Sequence, residues 1–373
     1  MSYDDIKYKE NGHLNTNSTI SAKITANTND AIKTLTLSDF SLWDNYVKNH
    51  DQGSFFHLSG WQEVISKSFE HDCYFLYIER EGNIVGVLPL VEVKSKLFGH
   101  ALVSTPFCVY GGAIADTPEL VRQLEQEACL LADKLSVDYL ELRYQEKQDS
   151  NLLLKQAHSA FGCELAEDTE QILASIKKKQ RAVIRHSLKN ELSFSLESGK
   201  NNLHDFYHLL STSYRNLGTP IFSKHYFENL VDVFGENIDI AIIKSKDNQL
   251  SSGVMNFYFK DQVLPYYGGG NDSARGLKSA DYMYYQVMCN ASAKGYRWYD
   301  FGRSKNDSGP FKYKKNWGME PKSLYYYYHL VNASELPNLS PNNPKYKLFI
   351  QLWQKLPLKV SQIVGPFLSK FLG

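Results

Sequence analysis

Along most of the chain apolar residues recur in short runs that switch between the two-residue period of strands and the three-to-four-residue period of helices. A helix is predicted around Ser38–Lys48. A strand pair, Tyr74–Glu79 and Val85–Val91, brackets the turn Arg80-Glu81-Gly82-Asn83. A second pair, Ile238–Lys244 and Gly253–Phe259, brackets Asp247-Asn248-Gln249. Each pair leads to a Tyr-Gly-Gly, first Tyr110-Gly111-Gly112 and then Tyr267-Gly268-Gly269. A helix follows each triplet. The first opens at Thr117-Pro118, an N-cap and first-turn proline, and carries Leu120, Leu124, Ala128, Leu131 and Leu135 on one face. The second begins near Asp281, carries Met283, Val287 and Ala291, and stops at Lys294-Gly295. Strands Val137–Arg143 and Tyr296–Gly302 then follow.

This near-constant offset between two strand–glycine–helix–strand units argues for a duplicated lobe, Tyr139 matching Tyr299 and Arg143 matching Arg303. The predicted class is therefore α/β of the α+β type, with two lobes of mixed, largely antiparallel sheet flanked by helices. Residues 1–33, rich in Asn, Thr and Ser, read as a disordered extension. Residues 34–170 form the first lobe and 171–332 the second, which ends on the tyrosine-rich strand Leu324–Leu330. Residues 333–373 make a Pro/Asn-rich linker and a tail.

Composition narrows the chemistry. A chain of 373 residues with 43% apolar side chains can bury two cores. Lys+Arg and Asp+Glu balance at 41 each, so any anion site must arise from local clustering. Five scattered cysteines without a CxxC pair imply neither a disulfide framework nor a zinc knuckle. Asp4, Asp5 and Glu10 are foreign to a signal peptide, and no apolar run reaches membrane-spanning length. A cytoplasmic protein is expected. His204 and His208 lie a turn apart without a third ligand, so no metal site is expected. Walker A, GxSxG and HExxH patterns are absent.

Two segments could carry chemistry. Gly268-Gly269-Gly270, with Arg275 and Lys278 beyond it, can let an anion approach backbone and a helix N-terminus; an ordinary glycine turn fits it equally well. Asp300-Phe301-Gly302-Arg303 ends a strand, and Lys305, Lys312, Lys314 and Lys315 follow among Phe311, Tyr313 and Trp317. Cations interleaved with aromatics beside a strand end can hold a phosphate or an oxyanion.

The ordered set Asp300-Phe301-Gly302-Arg303, then Tyr313-Lys314-Lys315-Asn316-Trp317-Gly318, with Arg181-Ala182-Val183-Ile184-Arg185 upstream, resembles FemAB-like proteins of the GNAT acyltransferase superfamily. The resemblance is greatest to the group associated with exosortase/PEP-CTERM systems and exopolysaccharide clusters, and runs from Phe55 to Gly373. It implies tandem GNAT-like lobes and transfer of an acyl or aminoacyl group from acyl-CoA or aminoacyl-tRNA to an amine of a cell-envelope or exopolysaccharide precursor. A non-catalytic binding or assembly protein on the same fold is the competing reading.

The resemblance also assigns residues. Lys314 would stabilise the oxyanion or a donor phosphate; Asp116 matches a family acid, and Asp300 fits either an alternative base or a hydrogen-bond acceptor at a strand end. Tyr267, Gly268, Gly269, Gly270, Arg275, Arg303 and Lys305 would contact the donor. Arg215 matches a family acceptor-phosphate arginine, and Trp61, Tyr110 and Tyr226 are expected on the acceptor side. No tightly bound cofactor is implied. The coiled-coil insertion linked to tRNA handling in staphylococcal-type members is missing, and Lys177-Lys178-Lys179-Gln180-Arg181 reads as a solvated helix face rather than an RNA contact. Expected partners are an anionic or lipid-linked saccharide substrate and tRNA, on a monomer or homodimer. The tail Lys345–Gly373, with five lysines and no acidic side chain, fits either peripheral contact with the inner membrane or packing onto the first lobe.

Overall fold

The computed structural model describes residues 31–95, 98–337 and 344–372. Among them the strands form two sheets. The first contains β1 (Ala31–Thr34), β2 (Cys73–Arg80), β3 (Asn83–Ser95), β4 (Gly99–Ser104), β6 (Tyr139–Tyr144), β15 (Tyr325–Leu330) and β7 (Leu153–Lys155), in that order, with β5 (Ile114–Ala115) on β3. The second contains β9 (Ser193–Ser198), β10 (Ile238–Lys244), β11 (Leu250–Phe259), β12 (Gln262–Gly270), β13 (Trp298–Lys305), β8 (His158–Glu164) and β14 (Lys322–Ser323).

The two orders correspond strand for strand. In each sheet an antiparallel meander is followed by a helix and a strand that returns parallel, β6 on β4 and β13 on β12. The crossover helices are α3 (Pro118–Leu135) and α9 (Ser279–Ala293), the latter preceded by the short α8 (Ser273–Leu277). Local signals explain their limits. The Thr117 hydroxyl accepts the Leu120 N–H and Pro118 opens the helix, while α9 closes on Lys294 before Gly295 at φ +88°. Glu81 and Gly82, both at positive φ, make the tight β2–β3 turn.

The last equivalent pair of strands is exchanged. β15, which follows the second lobe in sequence, pairs with β6 of the first sheet, while β8, which precedes the second lobe, pairs with β13 of the second. The expected division at residues 170 and 171 therefore does not follow the sheets. The reason is non-local: a strand's residue pattern marks its buried and exposed faces but does not name its neighbour in the sheet. Of the expected N-terminal extension, residues 31–33 belong to β1, paired with β2, and the rest lie outside the described residues.

The remaining helices are α1 (Phe40–Asn49), α2 (Gly60–Phe69), α4 (Thr169–Ser175), α5 (Lys178–Ser187), α6 (Leu203–Leu217), α7 (Lys224–Phe234), α10 (Gly309–Asn316), α11 (Pro344–Trp353) and α12 (Leu358–Ser369). One aromatic core runs through both lobes. Phe55 stacks on Phe257 at 4.5 Å and packs on Phe234 at 4.6 Å, and α2 lies against α7 where Gly60 meets Val233 and Phe234. The tail packs mainly on α6 of the second lobe, with Ser369 bonded to the Ile221 carbonyl. It touches the first lobe where His71 meets the Lys370 carbonyl.

Candidate active site

β12 and β13 pair in parallel only at Gln262–Trp298 and Val263–Tyr299, then separate. The strands leave facing backbone groups unpaired by one another. At the mouth of that separation β13 carries a bulge, where Asp300 pairs with Gly162 and Gly302 with Phe161. Gly302 takes φ +70°, and its N–H donates to Asp300 Oδ1 at 2.7 Å. The Tyr110 hydroxyl of the first lobe donates to Asp300 Oδ2 at 3.2 Å. Burial pushes the Asp300 carboxyl above the usual range, and Gly302, Lys314 and Tyr110 partly counter it.

Lys314 arrives from α10. The Ser308 side chain caps that helix by accepting the Phe311 N–H, and Phe301 packs edge-on against Trp317 at 5.7 Å. Tyr313 donates to Asp281 at 2.8 Å, which also accepts from Gln180 at 2.6 Å. These contacts hold α10 over β13, so that Lys314 Nζ donates to the Arg303 carbonyl at 2.9 Å and lies 5.3 Å from the Phe301 ring centre. Burial lowers its pKa to about 8, although the Asp300 charge pulls the other way. The strand motif and the lysine motif are thus one packing unit that buries a carboxyl and an ammonium, both with shifted proton affinities.

Asp300 lines a cleft of about 210 Å3 between the lobes. Gln52, His57, Tyr110, Arg143 and Gln148 line it from the first lobe, Gln262 and Leu264 from the second. Asp51 and Glu146 add carboxylates, and Glu146 accepts from Gln52 at 3.0 Å. Burial drives the His57 pKa down to about 4, and its Nε2 contacts the Gly112 carbonyl at 2.9 Å, so it is a neutral wall of the cleft. Arg143 is held by Glu141 at 2.7 Å and by the Cys108 carbonyl at 2.6 Å. Gln52, His57, Gln148 and Gln262 escaped sequence reasoning, since isolated polar residues from separate loops and strand ends have no spacing signal; Arg143 was singled out only as the duplicate of Arg303.

Several expected assignments are corrected. Trp61 is fully buried with its indole N–H on the Phe55 carbonyl, and Tyr226 and Tyr267 hydroxyls contact each other at 2.8 Å inside the core, so none of the three faces the cleft. The glycines of β12 also let helices pack close to the strand. A Cβ at Gly269 would stand 2.8 Å from Leu210 Cα, one at Gly270 2.9 Å from Ala274 Cβ, and one at Gly268 2.7 Å from the Tyr284 hydroxyl. Arg303 is committed to the Tyr326 hydroxyl at 2.7 Å, which in turn donates to the Val109 carbonyl. Arg215 bonds Asn216 and the Leu356 carbonyl under the tail. Asp116 is exposed and accepts from Tyr46 at 2.9 Å. Arg275 and Lys305 are exposed and do not line the cleft. The structure therefore bonds Tyr110 to Asp300 and sets Lys314, which is outside the cleft lining, within electrostatic reach of Asp300. Among the described residues no cluster of His, Cys, Asp and Glu could hold a metal ion.

The paired meanders with splayed parallel strands define a tandem GNAT fold. Residues 173–315 match the acetyltransferase (GNAT) domain family. The chain is similar to the crystal structure of FemX, at 16% identity and TM-score 0.62, over 86% of this chain and 100% of that one. It is also similar to the C-terminal domain of a putative lysylphosphatidylglycerol synthetase from Agrobacterium fabrum, at 13% identity and TM-score 0.53, over 80% and 92%. A tandem GNAT protein from the clavulanic acid biosynthesis pathway aligns at 11% identity and TM-score 0.50, over 82% and 100%. No curated protein sequence matches the chain.

Proposed function

We propose that the protein is an N-acyl or aminoacyl transferase that receives its amine acceptor in the interlobe cleft. The observation that carries this reading is the buried Asp300 carboxyl at the strand bulge, open to the cleft and adjacent to the low-pKa Lys314. Asp51, Glu146 and Asp300 make the cleft attractive to an ammonium group. An extended donor arm fits the separation of β12 and β13, where it can bond the open strand edges as an added strand would.

In the reaction the amine lone pair attacks the donor carbonyl carbon while Asp300 takes the amine proton. The Lys314 ammonium stabilises the oxyanion, an effect worth about 3 kcal/mol when one such donor is preorganised. Collapse of the tetrahedral intermediate breaks the bond to the thiolate of acyl-CoA, or to the ribose oxygen of aminoacyl-tRNA, and the proton held by Asp300 passes to the leaving group, which restores the carboxylate. FemX and the putative lysylphosphatidylglycerol synthetase domain share the fold, which supports an aminoacyl donor and a lipid-linked envelope or exopolysaccharide acceptor as the particular substrates.

The test is turnover with defined donors. Thiol release from acetyl-CoA and amide formation from charged tRNA are followed with a primary-amine acceptor. Activity in wild type, abolished by Lys314→Ala and Asp300→Asn in proteins that remain cooperatively folded, is the expected result. Activity that survives both substitutions would overturn the roles given to Asp300 and Lys314, and no turnover with either donor class would return the protein to a binding role.

A further inference from the structure

Helix α12 is built inside out. The face it turns to the protein consists of small residues, Ser361, Gly365 and Ser369, and a Cβ at Gly365 would stand 2.8 Å from the Ile221 carbonyl oxygen. The face it turns outward carries Ile363 at 67%, Val364 at 40% and Phe367 at 68% exposure. Burial of large apolar side chains is the ordinary source of a surface helix's stability, and here they are the ones left in contact with water.

The neighbouring helix continues the pattern. α11 buries Trp353 but exposes Leu348 and Leu352. Leu217, at the end of α6, is also exposed beside Gly218, which packs against Ile350 of α11. Around this apolar surface stand Lys347, Lys355 and Lys359, all exposed, and residues 345–373 contain no acidic side chain.

We infer that α11 and α12 form a docking surface for an anionic lipid bilayer. Ile363, Val364, Phe367, Leu348 and Leu352 enter the boundary between headgroups and acyl chains, and the lysines extend to the lipid phosphates. The charge pattern selects this occupant. A second copy applied to the same face would set the lysines of one tail against those of the other with no acid in either tail to pair them, and protein interfaces are depleted of lysine at their centres. No described helix is long and apolar enough to cross a membrane, so the contact lies on one leaflet. The inference stands on the tail alone and does not depend on the proposed reaction.

The experiment is co-sedimentation of the full chain with vesicles of phosphatidylcholine alone or mixed with phosphatidylglycerol. Wild type is expected to bind the mixed vesicles, and less so in high salt. The combined Ile363→Ser, Val364→Ser and Phe367→Ser variant should lose affinity by on the order of tenfold or more, at an unchanged melting temperature. Lys355→Glu with Lys359→Glu supplies an independent variant that leaves the apolar face intact and should also weaken binding. Wild type remaining in the supernatant, or serine and glutamate variants binding as wild type does, would overturn the inference. So would light scattering that finds a wild-type dimer converted to monomer by the serine substitutions, which would assign the face to a second copy.

Discussion

Lys314→Met should stabilise the protein at neutral pH. The ammonium sits between Phe301 and the strand, and burial drops its pKa from the usual 10.5 to about 8. That fall corresponds to about 3 kcal/mol by which the folded state penalises the charge. Methionine fills similar volume without that penalty, but it loses the bond to the Arg303 carbonyl, worth about 1 kcal/mol. The expected net gain is about 2 kcal/mol, reduced further if Asp300 stays ionised beside the apolar replacement. The sign fixes the pH window. Because the folded pKa lies below the unfolded one, the wild-type penalty is complete below pH 8 and fades between pH 8 and 10.5 as the unfolded lysine itself loses its proton. Urea midpoints for both proteins at pH 7, 8.5 and 10 measure the difference. A variant less stable than wild type at pH 7, or a gain equal at pH 7 and pH 10, would refute the reasoning.

Tyr110→Phe removes a hydrogen bond that lowers the Asp300 pKa, so the acid limb of the pH–rate profile should move to higher pH while the alkaline limb stays in place. Lys314→Arg keeps a cation through the alkaline range, and any activity it retains should lose the decline expected near pH 8. Gly269→Ala should lower stability by about 1–3 kcal/mol, read as a fall in melting temperature, because the new methyl would press on the α6 backbone. Arg143→Met strands the Glu141 carboxylate, whose pKa burial raises and Arg143 pulls back below its usual value. A loss of about 3–5 kcal/mol is expected at pH 7, shrinking as acid protonates Glu141.

The sequence made the local units readable. The β10 strand over Ile238–Lys244, the helix start at Thr117-Pro118 and the stop at Lys294-Gly295 all depend on neighbours within a few residues, and they stand where the pattern puts them. The Asp300 and Lys314 motifs were legible for the same reason, since bulge, aromatic packing and helix cap are encoded between residues 300 and 317. What escaped depends on distant partners. Trp61 and Tyr226 are polar-tipped aromatics that suit a binding surface or a core, and only the interlobe packing decides for the core. The glycines of β12 likewise carry the same sequence signature for a ligand's approach as for the approach of α6 and α8.

The exchange of β8 and β15 makes the two halves mutual hostages. Each sheet is completed by a strand covalently rooted beyond the other lobe, as in a swapped dimer whose two chains have become one. Swinging the lobes apart about a hinge would strain two ladders at once. Hinge closure is therefore the costlier route to enclosing an occupant at Asp300, and side-chain and loop movements at the rim are the cheaper one. A chain cut between the halves should regain its fold only when both fragments are present together.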